Sequence, residues 1–256
     1  MDFLFNTSLA DAYHSATQKA RVLTEDWLGR NMYCPICGTP VLRHFEANRP
    51  VADFYCTECR AEYELKSTER KRSGICDKIN DGEYNKMISR ITALNNPNFF
   101  ILTHTQNKVR NLVFIPNYFF VPEIIEKRKP LSEHARRAGW TGCNINISTI
   151  PQYGKIYIIK DSIEIKHTDV LATYKHLESL RVQKLESRGW LMDVLQCVDK
   201  LGEYFSLDEM YNFIPLLQTK HPNNHFVDAK IRQQLQMLRD KGFLEFTHGG
   251  HYRKLQ

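Results

Sequence analysis

Apolar positions along the chain fall into two kinds of pattern, and they divide it well past its middle. Residues 8–30 repeat at helical spacing: Leu9, Ala12, Tyr13, Ala16, Ala20, Leu23 and Trp27 recur at three- and four-residue steps, which predicts one amphipathic helix. Ser8 and Asp11 resemble a capping pair at its start. A second helix is predicted from about Gly82 to Asn95, with Tyr84, Met87, Ile88, Ile91 and Leu94 on one face. Three short apolar runs then read as core strands, Asn98–His104, Asn111–Pro116 and Lys155–Lys160. The order implies a mixed α/β domain up to roughly residue 160.

Charged, helix-forming residues with little apolar periodicity occupy 160–188 and read as a connecting helix or linker. A self-contained pattern follows: a helix over Trp190–Leu201, another over Leu207–Leu217 capped by Ser206, and a third over about Val227–Lys241. A hairpin with the turn His248-Gly249-Gly250-His251 closes it. Three helices closed by a β-hairpin is the order of a winged helix-turn-helix. The expected organisation is a catalytic or binding domain over 1–183 and a winged-helix domain over 184–256.

Composition narrows the class. The chain has 256 residues, 42% of them hydrophobic and 11% aromatic, which is enough to bury a core and excludes a disordered chain. A net charge of +6 and an isoelectric point near 8.9 favour a polyanionic partner. Cys76, Cys143 and Cys197 of the seven cysteines have no paired spacing and read as small buried residues. No signal peptide or membrane span is indicated, so the expectation is a soluble cytoplasmic protein of the cell interior, acting as a monomer.

Chemistry concentrates near the N-terminus. Cys34-x2-Cys37 and Cys56-x2-Cys59 are two CxxC knuckles eighteen residues apart, the spacing of a structural Zn²⁺ site. Asp53 precedes the second knuckle, and Glu64 and Lys66 follow it. On a strand Glu64 and Lys66 point to one face about 7 Å apart, with Tyr63 and Leu65 opposite. Val51–Tyr55 is also strand-like, so pairing would carry Asp53 toward Glu64. Two converging carboxylates suit a hard cation such as Mg²⁺, with Lys66 orienting a nucleophile or offsetting charge on phosphorus. The same residues also fit an ordinary solvated strand face. Glu25 and Asp26 are further carboxylates that read as solvated.

Longer blocks carry a resemblance. Arg49-Pro50-Val51-Ala52-Asp53-Phe54-Tyr55-Cys56, Glu62-Tyr63-Glu64-Leu65-Lys66-Ser67, the stretch from Ala135 through Trp140 to Ile145, and Lys230 through Lys241 resemble the DpnI-type methyl-directed restriction endonucleases. The resemblance implies a PD-(D/E)xK nuclease core carrying a zinc knuckle, followed by a winged helix. It implies duplex DNA with N6-methyladenine in GATC as substrate. Asp53, Glu64 and Lys66 would then be catalytic, Asp53 and Glu64 holding Mg²⁺, and the four knuckle cysteines would hold Zn²⁺.

An N6-methyl group puts an apolar surface in the major groove. Arg136-Arg137-Ala138-Gly139-Trp140 offers two cations, a glycine permitting close approach and an aromatic ring, although a Trp is more often a packing residue. In the last helix Ile231, Leu235 and Leu238 form the inward stripe. Lys230, Gln233, Gln234 and Arg239 are then expected on the exposed face as DNA contacts, with Arg253 of the wing. Two further readings compete: a non-catalytic zinc and winged-helix regulator, and a structure-selective repair nuclease.

Overall fold

A computed structural model describes residues 1–46, 52–182 and 184–255. The chain divides into two compact units, Met1–Ser148 with Tyr153–Glu178, and Thr149–Gln152 with Ser179–Gln256. Arg49, Pro50 and Val51 of the block preceding Asp53 lie outside the described residues.

The first unit begins with α1 (Ala16–Asn31), then β1 (Arg43–His44), β2 (Phe54–Tyr55), β3 (Glu62–Glu69), β4 (Lys78–Glu83) and α2 (Tyr84–Thr92). It continues through β5 (Asn98–Thr105), β6 (Lys108–Ile115), β7 (Ile125–Lys127), β8 (Gly142–Asn146), β9 (Ile156–Lys160), β10 (Ile163–Glu164) and α3 (His167–Glu178). Seven strands form one sheet in the order β1-β2-β3-β5-β6-β9-β10, with β3 parallel to β5 and the other neighbours antiparallel. A smaller sheet, β4-β8-β7, is antiparallel.

The apolar run Phe99-Phe100-Ile101-Leu102 is completely buried because β5 is central and covered on both faces. All three predicted core strands are present, each within a few residues of its expected ends. The second helix is shorter than expected, since Glu83 caps it by accepting from the Asn85 and Lys86 amides.

Two expectations are corrected here. The first helix starts at Ala16, and residues 7–10 form a separate 3₁₀ turn in which the Ser8 hydroxyl donates to Asn6 instead of capping a helix. Leu9 and Tyr13 are exposed; helix persists only where Trp27 and Leu28 find a core to bury against. The segment read as a connecting helix or linker does contain a helix, α3, but not one with little apolar periodicity: Val170, Tyr174 and Leu177 are buried at helical spacing, with Tyr174 packing 5.7 Å from the ring of Phe114.

The second unit contains α4 (Leu185–Asp199), β11 (Tyr204–Ser206), α5 (Leu207–Tyr211), α6 (Ile214–Lys220), α7 (Val227–Asp240), β12 (Leu244–His248) and β13 (His251–Lys254). Ser206 and Glu209 form a reciprocal capping box, as the Ser206 position predicted. The helix expected over 207–217 is two helices: Pro215, near the start of α6, has no amide to continue the ladder, and the chain turns at Asn212-Phe213. β13 pairs with both β12 and β11, and Gly249 and Gly250 carry positive φ in the hairpin turn. Among the described residues no helix is long and apolar enough to cross a membrane.

Candidate active site and metal centre

The four knuckle cysteines converge. The ligand atoms of Cys34, Cys37, Cys56 and Cys59 all lie within 4.8 Å of one another. Each knuckle closes in the same way, the Gly38 amide donating to Cys34 O and the Arg60 amide to Cys56 O. The residue after each second cysteine is left-handed, Gly38 at φ 81° and Arg60 at φ 59°, so Arg60 holds a conformation that disfavours side chains. Burial pushes the Cys34 thiol up to about 11 and raises Cys59 as well. Four sulfur ligands this close could hold one cation between them, deprotonating as it binds, and an all-sulfur set of four is one that zinc fills.

The cysteines also organise the neighbouring hairpin. Cys56 and Cys59 sit in the turn joining β2 to β3, and the Tyr63 hydroxyl lies 3.0 Å from Cys34 Sγ. In that hairpin Phe54 faces Tyr63 and Tyr55 faces Glu62. Continuing the register places Asp53 beside Glu64, and the Asp53 amide donates to Tyr63 O at 2.9 Å. There β2 ends. The next ladder donor on β3, the Leu65 amide, bonds to Asp53 Oδ2 at 2.8 Å instead. A carboxylate thus replaces a backbone carbonyl where the strands part, and a cleft of about 550 Å³ opens beside α1. Its lining includes Asp53, Glu64, Lys66, Arg21 and Glu25.

Glu64 and Lys66 share a face of β3, and Lys66 Nζ lies 2.6 Å from Glu64 Oε1. It lies equally close, 2.6 Å, to Asp81 Oδ1 of β4. Burial, opposed by Lys66 and reinforced by Asp81 and Asp53, pushes the Glu64 carboxyl up to about 7. Burial raises Asp53 too, against the Leu65 hydrogen bond, with Glu25 adding to the rise. Lys66 is itself raised: burial lowers it, but Glu64 and Asp81 together outweigh that. Carboxylates crowd one cleft here, and a hard, oxygen-seeking cation would relieve them.

Sequence reasoning missed Asp81. It reaches Lys66 from the smaller sheet, a juxtaposition with no local signal in the sequence. Glu25, read as solvated, lines the cleft, its carboxylate held by Arg21 Nε at 2.6 Å and His44 Nε2 at 3.2 Å. Asp26 pairs with Arg30 instead. Of the remaining cysteines, Cys143 and Cys197 are buried and Cys76 is half-buried.

The expected DNA-contact residues fare unevenly. Arg136 and Arg137 are exposed in the loop between β7 and β8. Trp140 is half-buried, with the Arg137 guanidinium 4.8 Å from its ring centre. Beside this loop the tight spot is Gly142, the first residue of β8: a Cβ there would meet the Trp140 ring at 2.8 Å, while Gly139 has open space and a left-handed φ of 75°. Gly142→Ala should therefore dislodge the ring, at a cost of about 1–3 kcal/mol, which urea unfolding and a shifted Trp fluorescence would register.

In α7, Gln233 and Arg239 are exposed, and Lys230 is half-buried with its ammonium 5.9 Å from the Trp190 ring. Gln234 is a correction. It is only 6% exposed, because residue 234 lies in the same i, i+3, i+4, i+7 stripe as Ile231, Leu235 and Leu238. Arg253 is paired with Glu245 at 2.7 Å and Arg239 with Asp240 at 2.8 Å, so these cations are partly neutralised within the fold.

Against this geometry, the family described as "DpnI: Dam-replacing family" matches residues 1–183, and the one described as "DpnI_C: Dam-replacing HTH domain" matches residues 186–254.

Proposed function

The chain belongs to the DpnI, or Dam-replacing, family, and from that premise we propose that it is a restriction endonuclease that hydrolyses duplex DNA at GATC sites carrying N6-methyladenine, using Mg²⁺. The observation that carries the catalytic reading is the fork at β2 and β3, where Asp53, Glu64 and Lys66 meet in one cleft. A DNA-binding regulator has no use for an ion-paired lysine buried among carboxylates, since that arrangement binds no phosphate from the surface. In this reading residues 1–183 form a PD-(D/E)xK core and 184–256 a winged helix.

Asp53 and Glu64 would hold the cation, Asp53 through the oxygen that the Leu65 amide leaves free and Glu64 through its burial-strained carboxylate. When bound, Mg²⁺ supplies charge to polarise the scissile phosphate and to acidify a water. Lys66 carries a full positive charge at neutral pH and is placed to orient the nucleophile or to offset charge on the phosphorane. The cysteines would hold a structural Zn²⁺ that keeps Asp53 and Glu64 in register. Digestion of matched plasmids from hosts with and without adenine methylation tests the substrate: cleavage confined to methylated DNA supports the reading, and equal cleavage of both refutes the methyl requirement.

For recognition, the Trp140 loop offers an apolar ring edge flanked by Arg136 and Arg137, and α7 offers Lys230, Gln233 and Arg239. Trp140→Ala should slow cleavage of methylated GATC roughly tenfold or more, from about 1–3 kcal/mol of lost apolar contact, and should narrow the preference over unmethylated sites. Lys230→Ala and Arg239→Ala should instead weaken binding with little regard to methylation, each lowering the salt slope by about one. Time courses on unmethylated, hemimethylated and fully methylated duplexes separate the two. Full methyl discrimination in the Trp140 variant would remove that residue from the reader.

A further inference from the structure

We infer that Asp81 is a positioning residue for Lys66, the anchor that holds its ammonium group over the cleft. The inference rests on the proposed catalytic role of Lys66 and adds a residue that the Asp53, Glu64 and Lys66 motif does not contain.

Three observations carry it. First, Lys66 Nζ contacts two carboxylates at 2.6 Å, one from its own strand and one from β4, a strand of the other sheet. A lysine has four rotatable side-chain bonds and a compact point charge, so a partner on its own strand leaves the ammonium free to swing. A second partner on a separate element removes that freedom. Second, β4 is built to aim Asp81. The pairing of β4 with β8 shifts between Asp81 opposite Cys143 and Glu83 opposite Gly142, a bulge that takes up Gly82. Bulges bend a strand and redirect a side chain, and here the Gly82 amide turns back to donate to Asp81 Oδ1 at 2.6 Å. The oxygen that meets Lys66 is thereby fixed by its own backbone.

Third, the carboxylate is used unevenly. Asp81 is 6% exposed on its side chain, and its Oδ1 accepts from both Lys66 and Gly82, yet Oδ2 is buried with no hydrogen-bond partner among the described residues. A purely structural buried aspartate satisfies both oxygens, because an unsatisfied buried acceptor costs about 1–3 kcal/mol. Asp81 carries that penalty while directing one oxygen at the lysine. An unmet buried polar atom calls for an explanation, and here the two contacts on Oδ1 supply one: they fix the carboxylate for Lys66.

The test compares Asp81→Asn and Asp81→Ala with wild type and with Lys66→Ala in the full-length protein. Asn keeps the acceptor and the shape; Ala removes both. Single-turnover cleavage of methylated GATC duplex with Mg²⁺ gives the chemical step, and binding of the same duplex with Ca²⁺ gives affinity. Thermal unfolding reports any folding defect. A misplacement of about 1 Å is enough to cost on the order of a hundredfold in rate. The expected result is a rate loss of about a hundredfold for Asp81→Ala, rescued to within about tenfold by Asp81→Asn, with DNA affinity and KM unchanged. A merely structural role would lower Tm and weaken binding together with rate. Wild-type single-turnover rates in both Asp81 variants, beside an inactive Lys66→Ala, would overturn the inference while leaving the catalytic reading intact. A Lys66→Ala enzyme that cuts at the wild-type rate would instead overturn that reading. If Asp81→Ala does not fold, Asp81→Leu, which fills the space without an acceptor, takes its place: a rate loss of about a hundredfold with unchanged affinity supports the anchor, and a wild-type rate refutes it.

Discussion

Alanine at Asp53, Glu64 or Lys66 should abolish cleavage, by on the order of a thousandfold or more, and should leave binding to methylated duplex in place. The expected loss is large because in the proposed mechanism each residue would supply a different part of one constellation: Asp53 and Glu64 the oxygens for the cation, Lys66 the charge near the reacting phosphate. Binding survives because none of the three lies in the Trp140 loop or on α7. The Lys66 variant carries a second signature. Removing its ammonium leaves Glu64 and Asp81, each 2.6 Å from it, without a counter-charge, and the Glu64 carboxyl, already at about 7, rises further. A carboxyl whose folded pKa lies above its unfolded value destabilises the fold where it must ionise. Lys66→Ala should thus be least stable above about pH 7 and recover toward pH 5, where the unfolded state also begins to take up the proton. Loss of one partner of a buried pair costs about 3–5 kcal/mol, an upper bound here because the pair keeps some solvent access. Urea unfolding at pH 5 and pH 8, with cleavage and Ca²⁺-supported binding alongside, checks all of this. A variant at any of the three positions that cuts at the wild-type rate refutes the assignment.

If the four-cysteine centre holds the proposed Zn²⁺, removal of the metal should unfold the first unit instead of merely slowing cleavage. Cys34 follows α1, and Cys56 and Cys59 close the β2–β3 turn, so the cluster ties the helix to the hairpin that carries Asp53 and Glu64. Structural Zn²⁺ binding is worth about 10–16 kcal/mol in small domains, comparable to or greater than the whole stability of a typical fold. Without it, buried Cys34 and Cys56 and their two partners remain crowded with no shared cation. Metal analysis should find one zinc per chain. Chelation, or Cys34→Ser with Cys56→Ser, should abolish the cooperative unfolding of the first unit and the cleavage together. Protein that is free of zinc, folded and active rules the centre out as a structural clamp.

Much of the site was legible because its chemistry is local in sequence. Two CxxC pairs announce a metal centre through spacing alone, and Glu64-Leu65-Lys66 places two charged groups on one face by strand alternation. Asp53 came within reach because a short hairpin joins it to Glu64. Gln234 was misplaced for a related reason: three apolar residues defined the inner stripe of α7, but the stripe is wider than three residues, and a polar side chain at i+3 falls inside it. The single helix expected over 207–217 failed on Pro215, whose missing amide outweighs a continuous apolar pattern. In α1, spacing alone carried the helix too far upstream, since periodicity says where a face would lie and not whether anything covers it.

The sequence by itself determined the three core strands, most of the main helices and the closing hairpin, the pairing of the four cysteines that could hold a metal, and the shared strand face of Glu64 and Lys66, because these depend on interactions across a few positions or one turn. Only the tertiary structure decided what surrounds them. Asp81 meets Lys66 from a strand of a second sheet, Glu25 lines the cleft from α1, and Trp140 settles on Gly142. Each is a contact between segments brought together by burying a common core. Such contacts leave no periodic trace along the chain, since burial rewards any apolar pairing that fills the space and is indifferent to how far apart the partners lie in sequence.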